Sequence, residues 1–320
     1  MSALRNYAGH DAGYDLFGSY AMRGVVKQRE PLAAHTSWRV GGPADRYFEP
    51  ADRQDLIEFV RQLAPGEPVL WIGLGSNLLV RDGGVRGTVI CLHGALATLE
   101  LLPNGTAIQA GAGVHCARLA KFAQQHKRAG LGFMAGIPGT VGGALAMNAG
   151  AWGGETWPNV LEAEVLLRSG RAEWWAASAF KWDYRHVDLP KNVLGFLAAR
   201  FHVDDDRDGA HERFTKEALA KRKATQPVGK PSAGSTFRNP PNDHAARLIE
   251  SCGLKGHRIG GAQVSTHHAN FIITDEGARA ADVEALIHHI QRVVKDQAGV
   301  ELQPEVRIVG DALPKGASHA

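Results

Sequence analysis

Apolar positions along this chain change between helical and strand spacing, which predicts a protein of mixed helix and strand content. Leu56, Phe59, Val60 and Leu63 recur at steps of one, three and four residues, so residues 52–63 are predicted to form a helix. Residues 116–126 have similar spacing. Short apolar runs bounded by turn residues predict strands, and they lie at 69–72, 88–92, 106–109, 160–168 and 193–203.

The pattern changes after residue 203. Residues 204–209 are acidic and polar, which predicts a domain linker or a surface turn. Beyond them the predicted helices are 212–223, 242–251 and 281–297, and the predicted strands are 259–264, 269–274 and 306–309. Helices and strands do not follow strict βαβ spacing, so we predict an α+β fold with a larger ligand-binding domain first.

Residues 1–30 carry no clear periodicity, as in a loosely ordered N-terminal segment. We therefore predict three parts: this segment, a domain over 31–205 and a smaller domain over 206–320.

Composition excludes several classes of protein. Of 320 residues, 44% are hydrophobic and 22% charged, which argues against disordered and fibrous proteins. The net charge of +3 is too small to indicate a nucleic-acid partner, and the basic run 216–223 is typical of a solvated helix face. Three separated cysteines, Cys91, Cys116 and Cys252, suggest neither a disulfide framework nor a zinc site. With no membrane-spanning run and no signal peptide, we predict a cytoplasmic protein without a membrane partner.

The segment 132–150 is apolar, rich in glycine and almost free of charge. Because glycine loses much backbone entropy on ordering, such a cluster indicates a geometric need. One need is a backbone that lies close against a bulky ligand, with its N–H groups pointing inward. The alternative is a tightly turned core segment without a ligand.

Two GxG dipeptides follow predicted strands, at 73–75 and 111–113, but neither completes the Rossmann fingerprint, and no P-loop motif occurs. Small residues at 73–77 still permit consecutive N–H groups to face an anion, and Ser76 and Asn77 add side-chain donors. Residues 139–143 offer a second cradle of the same kind. Two such cradles suit a pyrophosphate, and the glycine segment suits the flat ring of a dinucleotide such as FAD. An ordinary strand-to-loop turn remains the alternative for the first cradle.

A series of motifs occurs in a fixed order between about residues 35 and 310. The blocks are Thr36-Ser-Trp-Arg-Val-Gly-Gly42, Gly73-Leu-Gly-Ser-Asn-Leu-Leu79, Gly111-Ala-Gly113, Gly136-Ile-Pro-Gly-Thr-Val-Gly-Gly-Ala144, Asn148-Ala-Gly150, Tyr184-Arg185, Ala233-Gly-Ser-Thr-Phe-Arg-Asn-Pro240, His268-Ala-Asn-Phe271 and Pro304-Glu-Val-Arg307. In this order they resemble the UDP-N-acetylenolpyruvoylglucosamine reductase family. The resemblance implies an FAD domain of the vanillyl-alcohol-oxidase type with a smaller C-terminal α+β substrate domain, in the shorter subtype that lacks an inserted loop.

The resemblance also implies site residues. Its cofactor-binding positions are Gly73, Gly75, Ser76, Asn77, Leu78, Gly136, Ile137, Pro138, Gly139, Thr140, Gly142, Gly143 and Ala144. Its catalytic positions are Arg185, Ser235 and Glu305, with Ser235 as proton donor and the other two at the substrate carboxylate. Its substrate-binding positions are Tyr184, Arg185, Phe237, Asn239 and His268. The structural alternatives are a turn serine at 235 and surface ion pairs at 185 and 305.

Two positions depart from the family pattern. Val187 stands where many members carry a serine, and His35 stands where an asparagine is common. The adjacent histidine pairs 267–268 and 288–289 do not form a zinc site on their own, so no metal site is predicted.

The implied function is NADPH-dependent reduction of UDP-N-acetylglucosamine enolpyruvate to UDP-N-acetylmuramate through non-covalently bound FAD, for bacterial peptidoglycan synthesis. NADPH and the UDP-sugar would use one site in turn, and no protein partner is required. Two alternatives stay open. One is another flavin oxidoreductase of the same fold, and the other is a non-catalytic UDP-sugar-binding protein.

Overall fold

The computed structural model describes residues 21–313. Its six α-helices are α1 Arg53–Arg61, α2 Cys116–Gln125, α3 Val141–Met147, α4 Ala210–Thr225, α5 Ala245–Ser251 and α6 Ala280–Ala298. The strands of the first half are β1 Val25–Pro31, β2 Pro43–Glu49, β3 Val69–Ile72, β4 Leu78–Val80, β5 Val85–Cys91, β6 Leu99–Leu101, β7 Ala107–Gly111, β8 Arg128–Ala129, β9 Gly150–Ala151 and β10 Gly154–Glu155. Those of the second half are β11 Val160–Leu167, β12 Ala172–Ala176, β13 Lys181–Asp183, β14 His186–Asp188, β15 Val193–His202, β16 Asp204–Asp205, β17 Arg258–Ile259, β18 Ala262–Val264, β19 Ile272–Thr274 and β20 Arg307–Val309.

Two sheets form the larger part of the fold. The first has the order β1-β2-β5-β3, with β1 antiparallel to β2 and the other pairs parallel. The second is antiparallel throughout, in the order β12-β11-β15-β7-β6. Helix α1 presents buried Leu56, Phe59 and Val60 to a core that joins the two sheets through Ile90 and Leu197. Its start is fixed by the Asp52 side chain, which accepts from a first-turn amide, as expected of an N-cap.

The C-terminal part is built on the antiparallel sheet β17-β18-β19, against which α6 packs. Helix α6 buries Val283, Leu286, Ile287, Ile290 and Val294 at helical spacing, so its predicted amphipathic pattern is confirmed. The chain then returns to the first part, where β20 pairs in parallel with β4. The predicted α+β architecture is confirmed, and the three predicted domain boundaries stay predictions.

Two of the differences between the structure and the predicted elements concern the edges of the sheets. Val25–Pro31 forms strand β1 with six register partners in β2, although no element is predicted there. Its outward residues are mostly exposed, so an edge strand of this kind has no strong apolar period. The predicted strand 259–264 is a hairpin, because the chain turns at Gly260 with a φ of 53°. The prediction of a loosely ordered N-terminal segment concerns residues 1–20 as well, and these lie outside the described residues.

None of the helices within residues 21–313 is long and apolar enough to cross a bilayer.

Candidate active site

A deep cleft lies where the first sheet, the glycine segment and the C-terminal part meet. It encloses about 1500 Å³, counting its open mouth. Residues from five places line it: the loop 73–78, the segment 136–152, the β13–β14 turn, the end of α4 and the C-terminal part. Residues that are far apart in the sequence therefore share one site.

The loop after β3 approaches its neighbours so closely that two positions require glycine. Gly75 has a φ of 59°, and a Cβ there would lie 2.1 Å from the carbonyl oxygen of His35. A Cβ at Gly73 would lie 2.3 Å from Oγ1 of Thr140. The two predicted cradles therefore lie side by side, as the sequence predicts.

The same loop leaves backbone donors unused. The amides of Gly75, Ser76 and Asn77 donate to no group within residues 21–313, and all three residues line the cleft. Because unpaired backbone N–H groups need a partner, this loop is suited to bind an anion.

The second segment supplies fewer free donors. The amides of Ile137, Gly139, Val141 and Gly142 donate to Met134, Ile137, Val114 and Ala112 oxygens over 2.8–3.1 Å. Within 139–143 the amides of Thr140 and Gly143 are left, and that of Gly143 lies 3.5 Å from Thr140 Oγ1, so a second amide cradle here stays a prediction. Gly142 does not line the cleft, and a Cβ there would lie 3.0 Å from the Cβ of Ala112. The segment instead provides an apolar wall that a flat ring can approach.

Arg185 and Glu305 form an ion pair in the lining of the same cleft. Arg185 Nε donates to Glu305 Oε1 over 2.9 Å, and the two side chains are 15% and 18% exposed. Arg185 also donates to the carbonyl oxygens of Asn148 and Gly150, at 3.3 and 2.9 Å. The guanidinium is thus held in one orientation by three acceptors.

Burial raises the pKa of the Glu305 carboxyl, and the positive charge of Arg185 opposes that shift. The carboxyl therefore retains its proton more readily than an exposed glutamate. A neutral carboxylic acid beside an arginine can donate a hydrogen bond to a ligand carboxylate.

Ser235 lies in a turn that the same neighbours hold in place. Gly234 has a φ of 73°, and the next residue, Thr236, donates its amide to the carbonyl oxygen of Asn270 over 2.8 Å. The amide of Glu305 donates to the carbonyl oxygen of Thr236, also over 2.8 Å. The Ser235 hydroxyl lines the cleft and has no hydrogen-bond partner within the described part of the chain. It is therefore free to contact a ligand.

The departure at Val187 has a structural explanation. Val187 is 9% exposed and belongs to the core that α2 and α3 share with the second sheet. Arg185 is oriented by backbone carbonyls instead, so a serine hydroxyl at this position is not needed.

Most predicted site residues line the cleft, including Tyr184, Phe237 and Asn239. His268 does not. Its ring contacts Phe271 edge to face at 4.8 Å, and burial lowers its pKa. His268 therefore packs against the lining residue Phe271, and its contact with a substrate stays a prediction.

Arg222 is a cleft residue that the sequence prediction missed. It lies in the basic run assigned to a solvated face, and α4 indeed has no buried residue. Arg222 nevertheless reaches into the cleft, where it donates to Gly136 O over 2.8 Å and to Gln226 Oε1 over 3.0 Å. Burial lowers its pKa, and it has no acidic partner within residues 21–313. Its four-residue spacing from Gln226 is too common a signal to have identified it.

The charge of the cleft favours an anionic ligand. Arg185, Arg222 and Arg307 line it, against one carboxylate, Glu305. Neither histidine nor cysteine is among its lining residues in the described part of the chain.

Matches to known proteins cover most of this chain. The model of an FAD binding domain matches residues 44–175, and that of the UDP-N-acetylenolpyruvoylglucosamine reductase C-terminal domain matches 226–309. A reductase of that name from Methylococcus capsulatus is 53% identical over 91% of this chain and 95% of its own length. One from Alkalilimnicola ehrlichii is 51% identical over 90% and 96%. The crystal structure of the corresponding reductase from Thermus caldophilus superposes with a TM-score of 0.76 at 32% identity, covering 90% of this chain and 99% of that one.

Proposed function

This chain belongs to the UDP-N-acetylenolpyruvoylglucosamine reductase family, and on that premise we propose how its cleft carries out the reaction. The protein is an FAD-dependent oxidoreductase of peptidoglycan synthesis. The observation that supports the proposal is that the Arg185–Glu305 pair, Ser235 and the unpaired amides of residues 75–77 all line one cleft.

The residues present fit FAD. Gly73 and Gly75 lie where a Cβ would collide with neighbouring atoms, and the following amides lack partners, as a pyrophosphate site requires. We assign the pyrophosphate to residues 75–77 and the flavin ring to the wall formed by 136–140. When bound, FAD supplies the hydride chemistry between NADPH and the enolpyruvyl group. The absence of histidine and cysteine from the lining supports non-covalent binding.

Arg185 and Glu305 are assigned to the substrate carboxylate. The planar guanidinium can bind a carboxylate through two donors and stabilises the enolate charge that develops when the double bond is reduced. A protonated Glu305 can donate to the same group instead of repelling it. Arg222, which has no carboxylate partner in the described chain, is placed to neutralise phosphate charge of the UDP-sugar or of NADPH.

Ser235 is assigned the proton transfer. Its hydroxyl lies in the cleft without an internal partner, so it can donate to the carbon that carries the substrate carboxylate. A serine hydroxyl is a weak acid, and its transfer therefore depends on alignment and on the basicity of the enolate. Tyr184, Phe237 and Asn239 complete the proposed substrate contacts.

One cleft serves both NADPH and the UDP-sugar in this proposal, because all three lining arginines belong to the same space. We therefore propose that the two bind in turn. Initial-rate lines should be parallel, whereas intersecting lines would contradict this order.

The experiment follows the flavin spectrum of the anaerobic, FAD-loaded protein in two steps. NADPH should bleach the spectrum, and UDP-N-acetylglucosamine enolpyruvate should restore it. In Ser235→Ala the second step should slow by about 10²- to 10⁴-fold, the usual contribution of a positioned acid, while the first step changes little.

Ser232→Ala is the matched control, because Ser232 lies three residues away in the same segment and does not line the cleft. Bleaching without recovery in the wild type would remove the assigned substrate and favour another flavin oxidoreductase. Bound UDP-sugar without any turnover would favour a binding protein. Equal slowing of both steps in Ser235→Ala would make that residue structural.

A further inference from the structure

A polar cluster lies behind the loop 73–77, on the side away from the cleft. It contains His35, Glu49 and Cys91, whose potential ligand atoms all lie within 4.8 Å of one another. Cys91 is buried and its Sγ lies 3.9 Å from the carbonyl oxygen of Gly73, whereas His35 and Glu49 are partly exposed. None of the three lines the cleft, so the proposed reduction does not use them.

The acceptors within this cluster outnumber the protons that can reach them when His35 is neutral. The Tyr47 hydroxyl lies 2.9 Å from His35 Nδ1 and 2.6 Å from Glu49 Oε1. His35 Nε2 lies 2.9 Å from Glu30 Oε1, and a neutral imidazole that donates there keeps only a lone pair on Nδ1. One hydroxyl proton then faces two acceptors. A cation among these atoms would satisfy both.

We propose that His35 Nδ1, Glu49 and Cys91 bind a borderline-soft divalent cation of the Zn²⁺ class. Imidazole nitrogen, carboxylate oxygen and thiolate sulfur are the ligands such ions take in proteins. Glu30 on the far ring nitrogen forms the carboxylate–histidine arrangement that orients metal-binding histidines. The site is distinct from the reductase chemistry and does not depend on it.

The local charges suit a dication. Glu30 and Glu49 supply two negative charges, and Lys27, which lies 2.9 Å from Glu30, supplies one positive charge. On binding, the Cys91 thiol releases one proton to solvent and becomes a thiolate, which adds a second net negative charge.

The geometry requires a small contraction. Ligand atoms around a tetrahedral zinc lie roughly 3.3–3.6 Å apart, so the three groups must approach by about 1 Å. The Tyr47 hydroxyl lies among them and moves aside when the ion binds. Tyr47→Phe removes that hydroxyl, so it should leave metal binding in place.

The family pattern that this chain resembles commonly has an asparagine at position 35. Asparagine has no imidazole nitrogen with which to bind the ion. The variant His35→Asn therefore removes the ligand while keeping a residue that the family accepts at this place.

The test uses the full-length, FAD-loaded protein after chelator treatment, titrated with Cd²⁺ and separately with Co²⁺. We expect one equivalent to bind with a thiolate-to-Cd²⁺ charge-transfer band and, with Co²⁺, the visible bands of a tetrahedral site. The melting temperature should rise on metal addition. Cys91→Ser should abolish the charge-transfer band, and Cys252→Ser, a cysteine outside the cluster, should retain it.

Two further variants keep the test decisive if Cys91→Ser fails to fold. His35→Asn should weaken Cd²⁺ binding at least tenfold, and Glu30→Gln should weaken it by about 10- to 100-fold, the usual effect of a residue that orients a ligand. Absence of a charge-transfer band in the wild type would overturn the proposal, as would equal Cd²⁺ affinity in His35→Asn.

Discussion

At the scale of the single residue, Arg185 combines an unfavourable backbone with a fixed side chain. Its φ is 55°, a conformation that costs a non-glycine residue of the order of 1 kcal/mol. The surroundings hold it there, because Glu305, two carbonyl oxygens and the ring of Tyr184 all contact the guanidinium. Strain of this kind is typical of residues whose orientation matters for function.

The partner of this arginine provides a prediction about pH. Burial raises the pKa of Glu305, so the folded protein binds its proton more tightly than the unfolded chain does. The resulting stabilisation is fully present below the ordinary glutamate pKa of about 4.3 and is lost as the pH rises through the raised value. Glutamine has no proton to lose.

We therefore expect the wild type to lose stability relative to Glu305→Gln as the pH rises through that window. The change should be about 1.4 kcal/mol for each unit by which the folded and unfolded pKa values differ. Urea unfolding of both proteins across a pH series measures it. A stability difference that stays constant with pH would contradict the assignment of a raised pKa.

At the scale of the element, the loop 73–77 joins the nucleotide site to the strand before it and to the turn at residues 35–37. Ser37 N donates to Gly75 O over 3.3 Å, and Asn77 Nδ2 donates to the carbonyl oxygen of Glu305 over 3.1 Å. The amide of Arg307 donates a hydrogen bond to Asn77 O over 2.9 Å. The loop therefore links the proposed cofactor site to the proposed catalytic carboxyl.

Gly75→Ala tests the steric requirement of this loop. The new Cβ would lie 2.1 Å from a backbone carbonyl oxygen that cannot easily move. We expect a loss of about 1–2 kcal/mol from the positive φ and a further 1–3 kcal/mol from the overlap. Denaturant unfolding gives the stability, and fluorescence titration gives the FAD affinity.

Gly66→Ala is its matched control, because Gly66 also has a positive φ, 80°, but a Cβ there meets no atom within 4 Å. In that variant the free energy of unfolding should fall only by the part that the positive φ costs, and the FAD affinity should not change. Equal losses in the two variants would show that close packing at Gly75 is unimportant.

At the scale of the whole molecule, the C-terminal part completes its core with residues from the first part. Trp38, Val40 and Leu79 belong to the same buried cluster as the apolar face of α6. Trp38 is fully buried, and its Nε1 donates to the carbonyl oxygen of Ile272 over 2.8 Å. Two parts that share a core in this way should unfold together.

We accordingly predict one unfolding transition, with flavin fluorescence and far-ultraviolet circular dichroism changing at the same denaturant concentration. Trp38→Ala should cost about 3–5 kcal/mol and move both signals together. Trp182→Ala, which changes a tryptophan that is 41% exposed, should change stability by less than about 0.5 kcal/mol. Two separated transitions in the wild type would contradict a shared core.

The sequence by itself determined two things. One is the set of elements whose buried positions recur at a regular spacing along one segment, and the other is the family. Helices α1, α2 and α6 and strand β3 are found where their apolar periods predict them, because neighbouring residues in the chain decide which face is buried. The order of the motif blocks identifies the family, and with it most residues that line the cleft. Both signals are local, since each motif is read within a few consecutive residues.

Tertiary structure alone decided which distant groups meet. Arg222 belongs to the cleft because α4 places its end beside Gly136, and no pattern within α4 records that contact. The amides of Val141 and Gly142 are used by the fold because the turn after strand β7 lies against them. His35 and Cys91 are 56 positions apart and meet only because strands β2 and β5 pair. Contacts between elements depend on packing in three dimensions, and a periodic pattern along one segment carries no information about them.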